Sequence, residues 1–242
     1  MLRMVCLIVI FLFSVLPKVV LDVAASDDVP NILIDDDFER AEENDHLEQI
    51  GNGWGTNSEK RAKGVKQVDL VDGSMKITRA DVADHGVSVT HEASFCDAVL
   101  TLRFRLNEGD DLGINIADMN EKSVHAGHIC VARVRLSQLE ISDLKMGLMN
   151  LDRRLRRQAG NETAEDKKIN SELSYKRPLK LEPGKWHQLE VKIVGKRMDV
   201  KINGVDSGSF ESEGIAHPTK SRLRLAVNRN AWVDDLKLVK LK

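Results

Sequence analysis

Pro183–Lys201 reads PGKWHQLEVKIVGKRMDVK and runs on into Ile202-Asn203-Gly204-Val205. Leu189, Val191 and Ile193 alternate with Glu190 and Lys192. Past Gly195-Lys196, Met198, Val200 and Ile202 alternate with Asp199 and Lys201. A period of two places each apolar set on one side of an extended strand, whereas on a helix it would scatter around the axis. Two such runs joined by a glycine-containing break predict a hairpin, and Asn203-Gly204 predicts a second tight turn.

The same reading extends outward. Asp72-Gly73 predicts a hairpin between Val65–Val71 and Ser74–Thr78. Ile32–Phe38, Gly86–Thr90, Cys96–Leu106, Leu112–Ala117, Val124–Leu136 and Leu139–Ser142 read as strands. Leu223, Leu225 and Val227 alternate, and Trp232–Leu241 closes the chain. About a dozen short strands with turns between them predict an all-β sandwich of jelly-roll type.

One segment breaks the pattern. Residues 150–174 are charged and helix-prone, and Thr163 with Asp166 forms a capping-box signature. The segment is too short and polar to bury a core of its own, so it reads as a helical insertion in one sandwich domain spanning 32–242. Arg153, Arg154, Arg156 and Arg157 surround Leu151 and Leu155. They read either as a solvated amphipathic helix or as a docking surface for an acidic polysaccharide or a protein partner.

The N-terminus carries Arg3, the twelve-residue apolar run Val5–Leu16 and then Val23-Ala24-Ala25. This is the pattern of a secretory signal peptide, residues 1–25, followed by a polar leader at 26–31. The expected location is periplasmic or extracellular, with no transmembrane segment in the mature chain. With 36 basic and 38 acidic residues, the chain lacks the basic excess of a nucleic-acid binder. Cys96 and Cys130 lie in strand patterns whose parity aims both at a core-like face. They either bridge, as an oxidising compartment permits, or stand as two buried thiols.

The segment PGKWHQLEVKIVGKRMDVKINGV, the opening DDFER (residues 36–40), the run Cys96–Arg105 and the closing AWVDDLKL (231–238) resemble concanavalin A-like and laminin-G-like sandwich domains. Closer still is the resemblance to bacterial exported domains of the 3-keto-disaccharide hydrolase type, over roughly Ile32–Lys240. The resemblance implies a concanavalin A-like jelly roll and a carbohydrate ligand. It also implies recognition or cleavage of oxidised (3-keto) glycosides, by a hydrolase or a lyase if the domain is catalytic. The alternative is a non-catalytic adhesion or protein-interaction module. The Asn-Ser-Gly motif frequent in such domains is missing from residues 110–135. The E-x-D-x-x-E strand of retaining family 16 glycosidases is also missing. Leu139–Asp143 (LEISD) comes nearest, with Glu140 and Ser142 on one face and no second glutamate.

The candidate chemistry follows from a few side chains. His125 and His128, in SVHAGHIC, fall on opposite faces of a regular strand unless Gly127 marks a bulge that brings them together. Either could act as a general base, with Arg133 stabilising an anion or hydroxyl. Trp54, in GNGWG, reads as a sugar platform or as a plug at one end of the sandwich. His85 and His91 flank a strand at equal parity as further substrate-binding candidates, or as ordinary strand-end polar residues. Asp36, Asp37, Asp234 and Asp235 lie near the first and last strands, where they would either hold a structural calcium ion or serve as turn and edge residues.

Overall fold

The computed structural model describes residues 30–241. The signal-peptide reading of 1–25 and most of the polar leader lie outside these residues. Fifteen strands are present among the described residues. They are β1 (Asn31–Asp36), β2 (Gly55–Thr56), β3 (Val68–Val71), β4 (Ser74–Thr78), β5 (Val87–Phe95), β6 (Ala98–Arg105), β7 (Leu112–Ala117) and β8 (His128–Arg135). Then follow β9 (Gln138–Asp143), β10 (Ser174–Pro178), β11 (Trp186–Val194), β12 (Arg197–Ile202), β13 (Val205–Glu211), β14 (Lys220–Val227) and β15 (Asn230–Lys240). One antiparallel sheet runs β13-β12-β11-β6-β15-β4-β3, with β1 also paired to β15. The other runs β10-β9-β8-β7-β14-β5-β2. This is a jelly-roll sandwich.

The hairpins fall where the alternation puts them. Val194 pairs with Arg197 across Gly195-Lys196, and Ile202 with Val205 across Asn203-Gly204. Leu189, Val191, Ile193, Met198, Val200 and Ile202 are all buried. They meet Leu223, Leu225, Ile114, Ile116 and Ile141 of the opposite sheet in one continuous apolar core.

Three strand boundaries shift, each for a local reason. Val65–Gln67 is loop, because Lys66 leaves the ladder to pair with Glu42 and Asp69. Cys96-Asp97 is a turn, in which Asp97 accepts the Gly195 amide at 2.9 Å and so ties two hairpins together. Residues 125–127 form a single 3₁₀ turn ahead of β8. The short helix Ser58–Arg61 is α1, and the insertion folds into two helices, α2 (Leu151–Gln158) and α3 (Ala164–Glu172). The capping box forms at Thr163 and Asp166.

Candidate functional site

Strand order assembles the site. On the outer face of the second sheet, register lines up Thr90, Arg224, Asn115, Val131 and Ser142 across five strands. The next row is Ser88, Ala226, Gly113, Arg133 and Glu140. Directly opposed residues point to the same side of a sheet. All of these except Thr90 and Gly113 line a cavity of about 400 Å³, to which Leu144, Leu148 and Met149 add an apolar side and Asn57, Arg61 and His85 a further border. That size is ample for a sugar ring.

A bulge turns His128 into this cavity. Ile116 pairs with Cys130, but Ala117 pairs with His128, leaving Ile129 as an extra residue. The extra residue reverses parity. His128 therefore leaves the core face on which its spacing from Cys130 would put it. The turn before it brings His125 alongside, with ring centroids 6.3 Å apart. Gly127 is required there. Its φ is +71°, and a Cβ would lie 2.3 Å from the Asp118 carbonyl oxygen.

The two histidines have different surroundings. His128 Nδ1 is 3.0 Å from Asn115 Oδ1, and its Nε2 is 3.0 Å from Arg224 Nη1. Asn115 Oδ1 also accepts from Arg224, whose Nη1 lies 2.9 Å from His128 Nδ1 and 3.0 Å from Nε2, so the guanidinium sits against the edge of the imidazole. Burial, and after it Arg224, pushes His128 down to about 3. His125 makes no side-chain hydrogen bond among the described residues. Burial and then Arg154 pull it below its ordinary 6.5, leaving a neutral, unengaged imidazole at pH 7.

Arg224 is 8% exposed and has no carboxylate within ion-pair distance among the described residues. Burial, with Arg222 adding to it, lowers its guanidinium to about 10, so it is a cation at neutral pH. A buried charge without a counter-ion is costly and favours any negative charge placed against it. Arg133 is the contrasting case. It pairs with buried Asp111, which also accepts from Asn228 N and Nδ2 at 2.8 and 2.7 Å. Gly113 makes room for this guanidinium, since a Cβ there would sit 2.9 Å from Arg133 Nη2.

His85, His125, His128 and Arg133 thus gather at one cavity, and Arg224 and Asn115 complete it. Sequence reading missed Arg224. Its only signal was its place between inward-facing Leu223 and Leu225, which an ordinary solvated arginine shares.

Trp54 and His91 lie elsewhere, and Trp54 is not a sugar platform. It is buried, donates from Nε1 to Asp36 Oδ2 at 2.7 Å, and packs on Phe38 and His91 with centroids 6.0 and 5.0 Å away. His91 is held by the carbonyls of Asn52 and Glu92. The aspartates do not converge as a calcium site either. β1 does neighbour β15, but Asp36 accepts from Arg40, Asn52, Trp54 and the Phe38 amide. Burial opposes its ionisation, and the hydrogen bonds led by Arg40 outweigh that, holding its pKa below the usual value. Asp37 accepts the Glu39 amide, and Asp234 and Asp235 both meet Arg103. Among the described residues, no group of three or more potential metal ligands converges. Cys96 and Cys130 are unbridged. Cys130 is buried, and burial pushes its thiol up to about 12, while Cys96 in its turn is only half-buried.

Two stacked antiparallel sheets, with a polar cavity on the outside of one, define a concanavalin A-like jelly roll. Solved structures of this fold include a non-specific endo-beta-1,3(4)-glucanase from family GH16, at TM-score 0.57 and 10% identity over 88% of this chain and 91% of that one. The beta-glucanase of Bacillus licheniformis matches at TM-score 0.55 and 5% identity over 88% and 100%. The carbohydrate binding module CBM66 from Bacillus subtilis matches at TM-score 0.50 and 9% identity over 78% and 96%. The particular family is narrower. The chain belongs to the 3-keto-alpha-glucoside-1,2-lyase-like domain family, whose model matches residues 48–237. No curated protein matches the chain significantly. By family it is a carbohydrate-binding or glycoside-processing domain.

Proposed function

We propose that this protein is an exported lyase that cleaves 3-keto-glycosides by elimination across C1 and C2. One observation carries the reading: an unengaged neutral imidazole, His125, and a buried cation without a carboxylate, Arg224, face the same sugar-sized cavity. The family membership points to the same bond. The exported location rests on residues 1–25.

The chemistry follows from the ketone. A carbonyl at C3 acidifies the hydrogen on C2. His125 removes that proton, and the C–H electron pair moves into C2–C3 as negative charge collects on O3. Arg224, itself buried and supported by Arg133, stabilises that oxyanion. The enolate then collapses. The C3 carbonyl re-forms, a C1–C2 double bond forms, the C1–O bond breaks, and the departing oxygen takes the proton held by His125. The products are an unsaturated keto-sugar and a free alcohol, with no change of oxidation state overall. His128 is a positioning residue: its ring and Asn115 Oδ1 both contact Arg224 Nη1 and orient the guanidinium.

The test is turnover of a 3-keto-α-glucoside, followed by the absorbance of the conjugated enone. His125→Gln should reduce kcat by about a hundredfold or more, with the fold and substrate affinity retained. Binding with no enone formed by the natural protein would instead make it a carbohydrate-binding module.

A further inference from the structure

The charge balance of the cavity has a surplus that the elimination does not use. Among the described residues Glu140 is the one carboxylate in its wall, and Arg135 and Lys176 pair with it at 3.6 and 3.8 Å. Arg133 is neutralised by Asp111, and Arg224 is committed to the oxyanion. Two further arginines lie close by, Arg61 on the border of the cavity and Arg154 on the helix α2 that adjoins His125.

Arg61 borders the cavity, and its ionic partner, Asp84, is 3.4 Å away with both side chains exposed. Such a pair contributes little. Arg154 lies on the first turn of α2, beside His125. Asn150, which caps this helix, bridges to Val124, and the Met149 carbonyl accepts the His125 amide at 2.8 Å. The other three arginines of α2 have fixed employment. Arg156 binds Asp166 at 2.5 Å, Arg153 donates to the Met146 carbonyl, and Arg157 donates to that of Leu148. Arg154 has no side-chain hydrogen bond or ion pair among the described residues. Its charge is nonetheless felt at His125, where it is the largest electrostatic influence.

We propose that the substrate is an acidic 3-keto-glycoside whose anionic group, on the leaving (aglycone) side, is received by Arg61 at the border of the cavity and by Arg154 on the adjoining helix α2. The inference rests on the lyase reading, since it takes the sugar ring to occupy the floor between His125 and Arg224. The aglycone then projects toward that border. There it meets Arg61, whose exposed pairing with Asp84 is readily exchanged, and Arg154 beyond it, while Glu140 is held by Arg135 and Lys176; Leu148 and Met149 supply an apolar margin. The ligand chemistry is a carboxylate or an equivalent oxyanion presented a few bonds from C1.

The experiment compares two 3-keto-α-glucosides with isosteric aglycones, 4-hydroxybenzoate and 4-hydroxybenzamide, in the full mature protein. Rates are read on the pH plateau, because removing Arg154 also changes His125 protonation. The benzoate should have the higher kcat/KM at low salt, by about fivefold or more, and the advantage should shrink as salt is raised. Arg154→Gln should lower the benzoate rate more than the benzamide rate and bring their ratio close to one, and Arg61→Gln should act in the same direction. Equal rates in the natural protein, or a preference untouched by Arg154→Gln, would overturn this inference and leave the lyase reading standing. Elimination from neither substrate would overturn the lyase reading and, with it, this inference.

Discussion

At the residue scale, the decisive contrast lies between two histidines three positions apart. His128 is held by Asn115 and Arg224 and stays neutral down to about pH 3. His125 has no such partners, and burial and then Arg154 hold its pKa below the ordinary 6.5. If His125 is the base, its protonation sets the acidic limb of kcat/KM. Lowering the pH through its pKa protonates the imidazole and stops the reaction, so the limb should lie below pH 6.5. Arg154→Gln removes a repelling cation, eases protonation, and should move that limb upward. On the alkaline side, loss of the Arg224 charge should depress the rate near pH 10. A limb near pH 3 in the natural protein, unmoved by Arg154→Gln, would transfer the role of base to His128. Asp36 teaches a related lesson. Its carboxylate, a calcium candidate in the sequence, has its acceptor capacity filled by Arg40, Asn52, Trp54 and a backbone amide. The same contact takes Trp54 out of sugar binding.

At the element scale, the hairpin β11–β12 supports the sandwich. Val191 lies between Leu100 on β6 and Val200 on β12, and it is 1% exposed. Val191→Asp would bury a carboxylate with no cation on that face, at a cost of several kcal/mol. Soluble expression should be lost, while Lys192→Asp, one step along on the exposed face, should fold. A folded Val191→Asp protein would show that this strand does not carry the core. Outside the same sheet, register forms a row of Trp186, Arg105, Trp232 and Lys76. Arg105 lies 5.1 and 4.2 Å from the two indole centroids, and Lys76 is 5.4 Å from that of Trp232. These cations cover the rings and spare an exposed face two bare tryptophans. Both indoles belong to this outer row and not to the core.

At the scale of the whole molecule, the prediction concerns export. Mass spectrometry of the protein from its native host should find a chain beginning at or near Ser26, since Val23-Ala24-Ala25 follows the apolar run. An intact chain from Met1 in the cytosol would remove the exported location from the proposal. How much of the molecule was legible beforehand follows from the range of each signal. Side-chain alternation is local, so Leu189–Ile202 alone declared strands, turns and a buried face. The same reading, repeated along the chain, determined an all-β sandwich with a helical insertion. Parity put Glu140 and Ser142 on one face, and they do share the outer face of β9. The site depended on longer-range facts. β7 lies between β8 and β14, which sets Asn115 beside Arg224, 109 positions away in sequence. The extra residue at Ile129 reversed the parity of His128; Gly127 signalled an irregularity nearby, but the position of the bulge is set by the register of the partner strand. Alternation determines which residues face inward, because that is a property of each strand. Which outward residues meet around a cavity is a property of strand order, and only the folded sheet decides it.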